Sequence, residues 1–160
     1  PLRSNNDAHF ATRTALFELD KLIKNGMSEG DFEATRNFLI NFVPQMVASQ
    51  NRQLGYALDS EFYNTDNFVS YVTNKLKTLT LADVNRVIKE NLQTDNVHYV
   101  FITGDGADMQ KRLASQQTSP MIYNTNKPAE LVVEDKVIAD YKLAIPAKNI
   151  EVMKVDKVFQ

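Results

Sequence analysis

A chain of 160 residues with 43% hydrophobic and 24% charged side chains has the balance of an ordinary folded protein, which sets aside disordered and collagen-like classes. Its net charge of −2, with Lys and Arg spread among Asp and Glu, offers no basic stripe to follow a phosphate backbone, so nucleic acid is not an expected partner. No apolar run reaches the length of a membrane span, and with no Cys there are neither disulfides nor thiolate metal ligands.

The length suits one domain with its own core. The chain opens at Pro1, with no Met and no signal-peptide pattern, as an excised piece of a longer protein would; it is read as a fragment. Residues Pro1 to Asn6 read as a polar connector. Asp7 is the expected N-cap of a helix whose apolar stripe is Ala8, Ala11, Ala15, Leu16, Leu19, Leu22 and Ile23. Gly26 follows at the position for a left-handed C-terminal cap, and Ser28 with Asp31 three residues on opens a second helix.

That second helix is expected to turn Phe32, Thr35, Phe38, Leu39, Phe42, Val43, Met46 and Val47 to one side, with a kink or break near Asn41 because Pro44 removes a backbone donor. Beyond it, Leu54, Ala57, Leu58 and Phe62 continue a core-facing stripe, while Arg52, Tyr56 and Asp59 fall on a different face. Arg52 and Tyr56 stand at i and i+4 and so project from one side of a helix. Such a pair can address a ligand backbone; it is equally the pattern of a surface cation lying along a ring.

Asn64-Thr65-Asp66 reads as a turn and cap before a short helix carrying Phe68, Val69, Val72 and Leu76. Thr80 with Asp83 caps another, carrying Val84, Val87, Ile88 and Leu92. The helix-turn-helix rhythm lacks the positive charge DNA binding needs, so a packed helical pair is expected. From Val97 to Thr103 the run VHYVFIT predicts a buried strand, bounded by Asp95-Asn96 and by Gly104-Asp105-Gly106. A short helix from Ala107 to about Ser115 is expected next, then a brief extended piece at Pro120–Tyr123. The rest, Asn124 to Gln160, reads as a wrapping tail, with helix signals only at Asp135–Tyr141 and a final strand at Ile150–Val155.

A hydrolytic metal site draws about three ligands from His and carboxylates. The two histidines, His9 and His98, lie far apart in sequence, and neither HxxEH nor HExxH is present. His98 reads as structural. There is no GxSxG, and Gly104-Asp105-Gly106 lacks the rest of a phosphate-binding loop and reads as a strand-to-helix turn. No catalytic residue and no metal ligand is expected in this chain.

Four pieces in order, ELDKLIKNGMSEGDFEATRNFL, QNRQLGYALDSEFYN, LTLADVNRVIKENL with VHYVFITGD, and SPMIYNTNKPAELVVEDKVIADYKL, resemble the C-terminal repeat of the M16 metallopeptidases (insulinase, pitrilysin and processing-peptidase relatives), especially the bacterial branch. The resemblance covers nearly the whole chain. It implies the half of a zinc protease that lacks the zinc: an N-terminal half with HxxEH holds the metal, and a half like this one closes over an extended peptide substrate. It also implies that Arg52 and Tyr56 contact the substrate, with Tyr63 the alternative to Tyr56 because the spacing varies in the family. Export is common among bacterial relatives, which leans the compartment toward the periplasm.

Residues and resemblance together predict an α+β fold, several helices packed on a small, mostly antiparallel sheet, as in M16-like (LuxS/metallohydrolase-like) domains. Residues 1–95 form the helical segment, and 96–160 the strand-containing segment and tail of a partial C-terminal domain. A complete repeat begins with strands upstream of Pro1, so the resemblance implies a sheet edge left open here, pairing either with the missing half or with another copy. The rival function is a non-catalytic scaffold or binding subunit that pairs with an active partner.

Overall fold

Helix-stop and helix-start signals set most of the boundaries in the computed structural model, which describes residues 2–143 and 145–158. Pro1, at the head of the expected connector, and Ala144, Phe159 and Gln160, in the expected tail, lie outside the described residues. Seven helices run in order: α1 (Asn5–Asn25), α2 (Glu29–Met46), α3 (Gln50–Phe62), α4 (Phe68–Thr78), α5 (Leu81–Asn91), α6 (Gly106–Ser115) and α7 (Ala129–Ala139), with 3₁₀ turns at Ala147–Asn149 and Val155–Lys157.

Short-range capping explains these limits. Helix α1 ends where Gly26 adopts φ of +71°, the left-handed conformation that costs a side-chain-bearing residue most. Ser28 Oγ then accepts from Asp31 N at 3.1 Å to open α2. Thr80 and Asp83 form a reciprocal capping box at α5. Asp105 caps α6 through Asp108 N, so the Gly-Asp-Gly run is a helix entry. Four expectations shift, one of them at α7, which runs Ala129–Ala139 against the expected Asp135–Tyr141. Asn5 and Asn6 are helical, with Ser4 Oγ accepting from Asp7 N, so Asp7 lies in the first turn. Asn67, not Asn64-Thr65-Asp66, caps α4. Helix α2 runs through Pro44 without interruption near Asn41, because a proline in the last turn removes one backbone bond only two residues before the helix stops.

The expected sheet is absent: among the described residues there is no strand, and the structure is all-helical. The run Val97–Thr103 is extended, since the rings of Tyr99 and Phe101 stack at 6.4 Å with planes 10° apart, the spacing of two residues along a strand. A strand becomes part of a sheet only when a neighbouring backbone takes up its N–H and C=O groups. Neither Pro120–Tyr123 nor Ile150–Val155 does so; the latter gives way to the 3₁₀ turn at Val155–Lys157.

The chain divides into two compact units, one from the described residues of 1–21 and 93–160, the other from 22–92. In the first, Leu16, Met109, Leu113 and Leu143 form a buried cluster, flanked by Val97, Tyr99 and Phe101. A second cluster joins Phe10 to Ile138 and Ala139. Helix α1 departs from its expected stripe: Asp7, His9, Phe10, Arg13 and Leu16 are buried, and Ala15 is exposed. In the second unit α4 packs against α2 and α3, and burial is confined to Phe32, Val43 and Ile88. The expected core stripe of α3 lies in solvent, with Leu54, Leu58 and Phe62 exposed by 60%, 62% and 82%.

Candidate functional site

Helix geometry brings residues 52, 55, 56 and 59 of α3 onto one face, and α2 supplies the opposing wall. Phe42, Met46, Arg52, Gly55, Tyr56 and Asp59 together line a concavity of about 520 Å³. A Cβ built on Gly55 would meet nothing within 4 Å, so the missing side chain leaves the floor of the concavity open. Glycine in mid-helix costs about 1 kcal/mol relative to alanine, a loss that this opening accompanies.

The two expected substrate-binding residues are therefore brought together. Tyr56 is half-buried, its ring stacked on Phe68 of α4 at 3.9 Å and 15°, while Arg52 is exposed and its guanidinium has no partner among the described residues. Tyr63 is elsewhere: it is the C-cap of α3, 70% exposed, edge-on to Phe62, and does not line the concavity. Between the two tyrosines, the structure pairs Tyr56 with Arg52. The site offers five guanidinium donors, a phenol, a carboxylate at Asp59 and apolar walls at Phe42 and Met46, a set suited to a peptide-like ligand with carbonyls and apolar side chains.

A second polar centre, which the sequence reading missed, lies inside the first unit. Arg13 is fully buried; its guanidinium donates to Ser119 Oγ at 2.8 Å, to the Ala139 carbonyl, and to the Gln116 carbonyl at 3.3 Å. Burial lowers its pKa. One turn away, His9 is also fully buried, and neither ring nitrogen has a hydrogen-bond partner. Burial first, then the charges of Arg13 and Arg112, lowers the His9 pKa to about 4, so the ring is neutral near pH 7. The signal was a polar i, i+4 pair on the helix face that also carries Phe10 and Leu16. Close by in sequence to these partners, Tyr123 Oη donates to Asp135 Oδ2 at 2.7 Å, which raises the tyrosine pKa.

Among the described residues no three His, Cys, Asp or Glu side chains are grouped as a metal would need. His9 is enclosed and His98 is exposed on the extended run, against the structural role expected for it in a buried strand. No family model, curated protein or solved structure matches the chain. No helix among the described residues is long and apolar enough to cross a membrane.

Proposed function

We propose that the chain is the non-metal half of an M16-like zinc metallopeptidase, binding extended polypeptide at the α3 concavity and positioning it for a partner half that carries HxxEH. The observation that carries this reading is the convergence of Arg52, Tyr56 and Asp59 on one wall of a single concavity. An unpaired guanidinium supplies fixed N–H donors to substrate carbonyls, and Tyr56, held by Phe68, keeps its ring in place without help from the ligand. No catalytic step is assigned to this chain, and the zinc chemistry belongs to the partner.

Binding tests the reading. Fluorescence anisotropy with fluorescein-labelled, reduced and carboxymethylated lysozyme should show Arg52→Ala weakening binding by about tenfold or more, the loss of a charged hydrogen bond. Gly55→Leu should block the site, and Gly55→Ala should not. In a reconstituted enzyme, Arg52→Ala should lower turnover about 10²-fold. Unchanged affinity in both Arg52→Ala and Gly55→Leu rejects the concavity as a polypeptide site.

The second reading is a non-catalytic binding subunit that pairs with an active half. It is favoured by the exposed Leu54, Leu58 and Phe62 stripe, which is spaced to lie against another protein surface. Reconstitution separates the two: a complex whose turnover ignores Arg52→Ala is scaffolded by this chain, and one whose turnover collapses is completed by it.

A further inference from the structure

Apart from α3, the helices carry charge that suits their own dipoles at one end or both. An acidic residue stands in the first turn of α1, α2, α5, α6 and α7, and a basic one in the last turn of α1, α4, α5, α6 and α7. Helix α3 has neither and reverses the order: Arg52 lies in its first turn, where the dipole is positive, and Asp59 in its last turn, where it is negative. That placement works against the helix, which also lacks a side-chain cap at Ser49. It gives the face carrying both residues a positive end and a negative end.

The two charges are also left unpaired. Arg36, Arg86 and Arg112 each meet a carboxylate three or four residues away on the same helix, the ordinary use of a surface arginine. Arg52 and Asp59 are seven residues apart, two turns or about 10 Å along the axis, and neither side chain has a partner among the described residues. Both line the α3 concavity, with Gly55 and Tyr56 between them and Phe42 and Met46 on the facing wall. Phe42 is stacked on Phe38 at 5.4 Å and 13°, which holds that wall in place.

An extended polypeptide advances about 3.3 Å per residue with alternate side chains on opposite sides, so about three residues span the distance from Arg52 to Asp59. A side chain turned toward α3 at the Asp59 end meets an uncompensated carboxylate. Its neighbour in the segment then turns toward the apolar wall of Phe42 and Met46.

We propose that Asp59 selects the occupant of the concavity: a polypeptide segment with Lys or Arg beside an apolar residue, its cation on Asp59 and a main-chain carbonyl on Arg52. Selection of this kind rests on the reading of the concavity as a polypeptide site, and adds to it a preference for basic segments over neutral and acidic ones.

Competition against the labelled lysozyme tests the selection, using the peptides GSLKLSG, GSLQLSG and GSLELSG, acetylated and amidated so that the central side chain alone carries charge. The Lys peptide should compete about fivefold better than the Gln peptide, the reach of a solvent-exposed ion pair. That advantage should shrink at about 1 M salt, where the screening length falls to about 3 Å. In Asp59→Asn the Lys and Gln peptides should compete equally, while the thermal midpoint holds or rises because a carboxylate has left the negative end of the helix. Equal competition by the Lys and Gln peptides on wild type, or a Lys advantage that survives Asp59→Asn, overturns the selection, and so does best competition by the Glu peptide, which would make Arg52 the selecting charge. In each of these cases lysozyme binding that falls in Arg52→Ala leaves the polypeptide site standing. Lysozyme binding unchanged by both Arg52→Ala and Gly55→Leu removes the site itself, and the selection with it.

Discussion

The ring of Tyr56 lies flat on that of Phe68, with centroids 3.9 Å apart, joining α3 to α4 directly behind the concavity that Arg52 overhangs. Since α3 buries no residue fully, this stack is a principal hold on the helix. A double-mutant cycle of Tyr56→Ala and Phe68→Ala in urea unfolding should give a coupling energy of about 0.5–1.5 kcal/mol. Additive losses would show that the rings do not support one another.

Arg13 ties α1 to chain segments 103 to 126 positions away through Gln116, Ser119 and Ala139. Arg13→Leu takes the donor from the buried Ser119 hydroxyl and the half-buried Gln116 carbonyl and one of two donors from the Ala139 carbonyl, which keeps Ser119 N, so unfolding free energy should fall by about 3 kcal/mol. Ser119→Ala removes one acceptor and should cost about 1–3 kcal/mol. Denaturant midpoints at constant slope measure both.

His9 makes stability depend on pH in a defined window. Its folded pKa of about 4 lies below the ordinary 6.5, so between these values the unfolded chain binds the proton that the folded chain refuses. The contribution is fully present above pH 6.5 and is lost as pH falls toward 4, by up to about 1.4 kcal/mol per pH unit. His9→Gln should flatten that limb of the stability profile. An unchanged slope in the variant would show that another group drives it.

Gly26 sits at φ +71°, and a Cβ there would come within 2.7 Å of Asn85 Oδ1. That same oxygen accepts from Met27 N at 2.7 Å, while Asn85 Nδ2 donates to the Met27 carbonyl at 3.2 Å. Gly26→Ala therefore combines backbone strain with displacement of the Asn85 side chain, and should destabilise by about 1–3 kcal/mol. Asn85→Ala should cost less, since it removes the clasp without the strain; thermal unfolding of both variants checks the order.

The sequence by itself determined where α1 stops and where α2 and α5 start, and it set Arg52 and Tyr56 on one face of a helix. Caps at Ser28, Thr80 and Gly26, and an i, i+4 spacing, depend on atoms a few residues apart, which local geometry fixes. Tertiary structure alone decided which faces are buried: Leu54, Leu58 and Phe62 carry a core pattern but have no neighbour to cover them, while His9 and Arg13 are enclosed by residues distant in sequence. It also decided the fate of Val97–Thr103, because composition predisposes a run to extend, but a sheet needs a second backbone at hydrogen-bonding distance, and the described chain does not bring one alongside.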